Sequence, residues 1–127
     1  MIHHLALGSY DVAGLAAFYE RALGLVRVKE HRDEAGLLRS IWLRLGPSSH
    51  AVLMIEKTDQ PRSSDRAHAG VVSGWFLLAF EVSAAERAAA ERRLEQAGAT
   101  LERRTEFSSY ARDPEGNRFA ISSYPLE

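Results

Sequence analysis

The chain has 127 residues, 46% hydrophobic and 26% charged, with 16 basic against 17 acidic side chains; this suits one globular domain and gives no field to attract nucleic acid or an anionic membrane surface. It has no cysteine, which excludes disulfides, thiolate nucleophiles and thiolate-bound zinc. No apolar run approaches the roughly 18–20 residues that span a bilayer, and Met1-Ile2-His3-His4-Leu5 lacks the basic and apolar regions of a signal peptide, so a cytoplasmic protein is expected.

The first element is a strand over 2–8, where Leu5 and Leu7 alternate with His4, Ala6 and Gly8. A helix follows over 11–23. Asp11 caps it, Leu15, Phe18, Tyr19 and Ala22 give it an apolar stripe, and Gly24 ends it. Three strands are then predicted. In the first, 25–31, Val26 and Val28 oppose Arg27 and Lys29; Asp33-Glu34-Ala35-Gly36 makes the turn. The second, 37–45, sets Ile41, Leu43 and Leu45 against Ser40, Trp42 and Arg44. The third, 50–57, lacks alternation and reads as buried on both faces. Residues 58–74 are polar and without period, as in a linker.

The second half repeats this order. A strand over 75–82 precedes a helix over 84–97, which Ser83 and Glu86 start with a capping box. Ala90, Leu94 and Ala97 form its inner stripe, Gly98 ends it, and Arg87, Glu91, Arg92 and Glu95 read as a solvated face. Strands near 100–106, 109–112 and 117–123 complete it, the last two joined by the turn Asp113-Pro114-Glu115-Gly116. His4-Leu5-Ala6-Leu7 overlays on Leu77-Leu78-Ala79-Phe80, and Gly24 on Gly98, with one slipped residue between. The prediction is an α+β fold of two tandem βαβββ modules, about 1–57 and 75–127, forming a curved mixed sheet around a pocket.

In order and spacing, these pieces resemble the vicinal oxygen chelate superfamily. That group includes glyoxalase I, extradiol dioxygenases, methylmalonyl-CoA epimerase, fosfomycin-resistance enzymes and bleomycin-binding proteins. The similarity rests on His4-Leu5-Ala6-Leu7, Phe18-Tyr19, Leu23-Gly24-Leu25, Leu78-Ala79-Phe80-Glu81-Val82 and, most specifically, Arg112-Asp113-Pro114-Glu115-Gly116-Asn117-Arg118-Phe119. It implies a divalent metal held by one His, Gln or Glu from each of four strands, binding vicinal oxygens of the substrate. Carried over, those positions fall on His4, on Leu53 or Met54, on Leu77 and on Ala120. Only His4 suits such a cation. No cofactor is therefore expected, and a divalent metal only if Glu56 stands in ligand register.

His4 shares a strand face with small residues that leave room for a ligand. Trp42 beside Arg44 would offer an aromatic platform and a cation for a planar or anionic compound. Met54, Leu77 and Ala120 make the pocket drier, and Trp75, Tyr110 and Arg112 are further candidate walls. His31, His50 and His68 read as incidental. The leading expectation is a metal-free protein that binds, and in the manner of the antibiotic-sequestering members sequesters, an aromatic or hydrophobic compound. A lyase, isomerase or dioxygenase-like enzyme using His4 and Glu56 is the alternative, and a regulatory or partner-binding module the third reading. A homodimer is expected, with no nucleic acid or membrane partner.

Overall fold

Period-two alternation at the start of the chain becomes strand β1 (His4–Ser9), with Leu5, Leu7 and Ser9 turned inward and His4, Ala6 and Gly8 turned away. The computed structural model describes residues 1–60, 71 and 73–126; His68 and most of the predicted linker lie outside them. Helix α1 (Val12–Leu23) starts where the Asp11 carboxylate accepts the Gly14 N–H at 2.9 Å. It stops at Gly24, whose φ of 67° is left-handed and costs a residue without Cβ little. Leu15, Ala16, Phe18 and Ala22 are buried to about the last atom.

Strands β2 (Val26–Arg32), β3 (Leu38–Arg44) and β4 (Val52–Lys57) complete the first module. The sheet order is β1-β4-β3-β2, with β1 parallel to β4 and the other pairs antiparallel. Ile41 and Leu43 of β3 and Leu53 and Ile55 of β4 are fully buried on the side covered by α1. The expectation that β4 is buried on both faces needs correcting. Its other face opens progressively, from buried Val52 through half-buried Met54 to exposed Glu56.

The second module follows the same plan: β5 (Leu78–Glu81), α2 (Arg87–Gln96), β6 (Thr100–Arg104), β7 (Ser108–Arg112) and β8 (Arg118–Ser122), in the order β5-β8-β7-β6. Strand β5 again runs parallel to its neighbour β8. The turn before β8 is tied by Asp113, whose Oδ1 accepts the N–H groups of Glu115 and Asn117 at 2.9 Å each. The chain separates into two units, Met1–Gln60 and Pro61–Glu127. No helix of the described residues is long and apolar enough to cross a membrane.

Three details of the second unit differ from the sequence expectation. Strand β5 begins at Leu78, so Trp75 and Leu77 precede it. Helix α2 begins three residues late, and only half of the capping box forms: Ser83 Oγ accepts the Glu86 N–H, but the Glu86 carboxylate takes the Ser83 hydroxyl and not a backbone N–H. Arg87 and Glu91, expected in solvent, face inward. The Arg87 guanidinium donates to Ser109 Oγ and to the carbonyls of Thr105, Glu106 and Ser108 at 2.7–2.9 Å. Glu91 accepts from the Ser109 hydroxyl and from Arg104.

Candidate functional site

Cross-strand pairing arranges the face of the first sheet that α1 leaves uncovered into three rows. The middle row is Ala6–Met54–Trp42–Lys29. Beside it run Gly8–Glu56–Ser40–His31 on one flank and His4–Val52–Arg44–Val26 on the other. The half-buried Trp42 indole donates from Nε1 to the buried Ser40 Oγ at 3.2 Å. Lys29 Nζ stands 5.4 Å from the centroid of the Trp42 ring, and the His31 ring packs 4.9 Å away, tilted by 48°. His31 Nε2 is buried and has no hydrogen-bond partner among the described residues. Glu56 is exposed and makes no hydrogen bond or ion pair among the described residues.

Four of the predicted residues, His4, Trp42, Arg44 and Met54, thus share this face, but not as expected. The cation over Trp42 is Lys29, not Arg44, which is exposed one row away. His31, read from the sequence as incidental, is in contact with the indole. His4 lies at the far end, hydrogen-bonded through its Nδ1 to Nδ1 of His3 at 2.8 Å. It pairs with Val52, and Glu56 is four residues further along β4. At roughly 3.3 Å per residue the backbones are about 13 Å apart. A direct hydrogen bond between the two side chains is out of reach at that spacing.

A related row occupies the corresponding face of the second unit: Ala79–Ala120–Tyr110–Arg103, with the Arg103 guanidinium 5.1 Å from the Tyr110 ring centroid. The pattern is the same in both units: a small residue, an apolar residue, an aromatic ring and a cation over that ring. The shared register makes Met54 the counterpart of Ala120. Leu53 is buried on the α1 side. Beside Tyr110, Glu102 accepts from Arg112 and, at 3.0 Å, from Arg118, whose guanidinium lies 4.5 Å from the Phe76 ring centroid. Burial pushes the Glu102 carboxyl upward, but the two arginines outweigh it and hold it below the usual range. Trp75 is 93% exposed and Leu77 half-buried.

The four positions assigned to metal ligands by resemblance therefore carry an imidazole, a thioether, an isobutyl group and a methyl group. Thioether sulfur is a soft donor, and the last two donate nothing, so the set does not fit a hard or borderline divalent cation. Glu56 is two residues beyond Met54 along β4 and sits in a different row. Among the described residues no group of three or more His, Asp or Glu is placed to hold a metal ion.

Comparison with known proteins agrees with this architecture. A family model described as a glyoxalase-like domain matches residues 4–122. FosX, a fosfomycin resistance protein of Listeria monocytogenes solved with Mn(II) and 1S,2S-dihydroxypropylphosphonic acid, is 15% identical. The match covers 99% of this chain and 94% of that one, with a TM-score of 0.77. An integron cassette protein from V. cholerae is 25% identical over 98% and 95% of the two chains, TM-score 0.64. Lactoylglutathione lyase from Agrobacterium tumefaciens is 20% identical over 96% and 92%, TM-score 0.64. The comparison with curated proteins finds no match. With the family model spanning both βαβββ units, the chain belongs to the glyoxalase-like domain family, within the vicinal oxygen chelate superfamily.

Proposed function

We propose that this protein binds a small aromatic or hydrophobic molecule on the uncovered face of its first sheet, without a resident metal. The observation that carries the reading is the row Ala6–Met54–Trp42, in which a small side chain, a pliable thioether and a half-buried indole lie side by side. Such a strip offers dispersion and stacking to a flat ligand, with polar groups of the next row to orient it. Binding alone needs nothing more, so sequestration is the simplest activity. The homodimer expected from the resemblance is part of the same proposal, and sedimentation equilibrium measures it.

Trp42 reports on its own occupancy. In a Trp75→Phe background, Trp42 is the one remaining tryptophan, and aromatic ligands should quench its fluorescence saturably. Met54→Lys should weaken that quenching about tenfold or more, because it places a charge in the strip. Retention of stoichiometric Mn(II) or Ni(II) after removal of excess metal, lost in His4→Ala and Glu56→Ala, would instead put an enzyme first. Absence of any quenching across an aromatic library, together with a stable protein partner, would favour a regulatory module.

A further inference from the structure

We propose that the molecule bound on this face is a planar carboxylate, its acid group seated between His31 Nε2 and Lys29 Nζ and its flat part against Trp42. This rests on the binding reading above and specifies its ligand class. Three observations lead to it. His31 Nε2 is buried and lacks a partner among the described residues, an arrangement that costs free energy unless an acceptor or donor fills it. Lys29 is the direct cross-strand partner of Trp42, and His31 is a diagonal neighbour in contact with the same ring. An acceptor lying between them would receive a charge-assisted bond from the ammonium and, with the proton on Nε2, a second bond from the imidazole.

No carboxylate of the chain occupies that place among the described residues. Glu30, between Lys29 and His31 in sequence, pairs with Ile41 on the opposite face and is held by Arg27 at 2.5 Å. Glu56 is separated from His31 by Ser40, two strand spacings or about 10 Å. It is available to accept from a donor elsewhere on the ligand. Among the described residues the Lys29 ammonium therefore has no carboxylate partner, and it lies against the indole at the end of an apolar strip.

Calorimetric titration of the Trp75→Phe protein with 2-naphthoate and with its neutral isostere 2-naphthamide tests this. The acid should bind about tenfold tighter than the amide. That preference should collapse in Lys29→Met, an exposed position whose replacement leaves the fold intact, and in His31→Leu. In the unsubstituted protein, long-range imidazole ¹H–¹⁵N spectra should show the His31 Nε2 resonance moving with naphthoate and not with naphthamide, which stands even if His31→Leu fails to fold. Equal binding of acid and amide, with Trp42 still quenched, would overturn the carboxylate and leave the face a binding site. Failure of both to bind would overturn the binding reading with it.

Discussion

Arg87 stands where helical spacing would put it in solvent, yet its side chain is only 10% exposed. Its fork reaches three carbonyls from residues 105–108 and the Ser109 hydroxyl, so one charge ties α2 to the turn between β6 and β7. Neutral acceptors in such number compensate the lost hydration of the guanidinium. Arg87→Ala strands those acceptors, and urea unfolding should show a loss of about 3–5 kcal/mol. Arg87→Lys should recover little, because a compact ammonium cannot match a planar fork. None of this was legible in the sequence. Arg87 and Glu91 have the spacing of an ordinary surface pair, and the carbonyls that bury them come from a turn with no pattern of its own. His31 was obscured similarly: a histidine near a strand end has no periodic signature, and only the cross-strand register brings it to Trp42.

At the scale of elements, strand β2 decides what the first sheet offers a ligand. Plain alternation from Val26 would put Lys29 on the same face as Arg27. The structure has a register shift between Arg27 and Lys29, with Val28 as the extra residue. A bulge of this kind reverses the phase of everything after it. Arg27 stays on the α1 side, where it bonds Glu20 at 2.6 Å, and Lys29 crosses to Trp42. Deleting Val28 should restore regular alternation while leaving Lys29 opposite Trp42, because Lys29 then directly follows Arg27 in the same pairing with β3. The expected result is a folded protein by circular dichroism that still prefers naphthoate to naphthamide. Elements with a local chemical signal were read correctly from the sequence: the Asp11 cap, the Gly24 stop and the Asp113–Gly116 turn each depend on one side chain or one positive φ. Bulges depend on a partner strand and leave no such mark.

Across the whole molecule, the duplicated order of elements made the fold legible, because two weak patterns in the same sequence of strand and helix reinforce each other. The stability of the second unit has a charge dependence the sequence did not show. In Glu91, burial raises the carboxyl, but bonds from Ser109 and Arg104 and the nearby charge of Arg87 bring it below its ordinary value of 4.5; Glu102 is lowered likewise. Both bind protons more readily when unfolded, so their stabilisation is complete above about pH 4.5 and disappears as pH falls through the lower folded values. Hydrogen exchange followed by mass spectrometry from pH 6 down to pH 3, corrected for intrinsic rates, should show protection falling in β6, β7 and α2 below about pH 4.5. Glu102→Gln should flatten that response.

The repeated row also carries a history. Two halves copied from one ancestor would have begun with the same four side chains across the sheet, and Ala6 and Ala79 remain identical. Beyond them one half now has methionine, tryptophan and lysine where the other has alanine, tyrosine and arginine. Among the described residues, the ring of the former alone has an imidazole against it. Duplication relieved each copy of the need to preserve the whole arrangement, and the chemistry of the two faces was free to diverge while the backbone stayed the same.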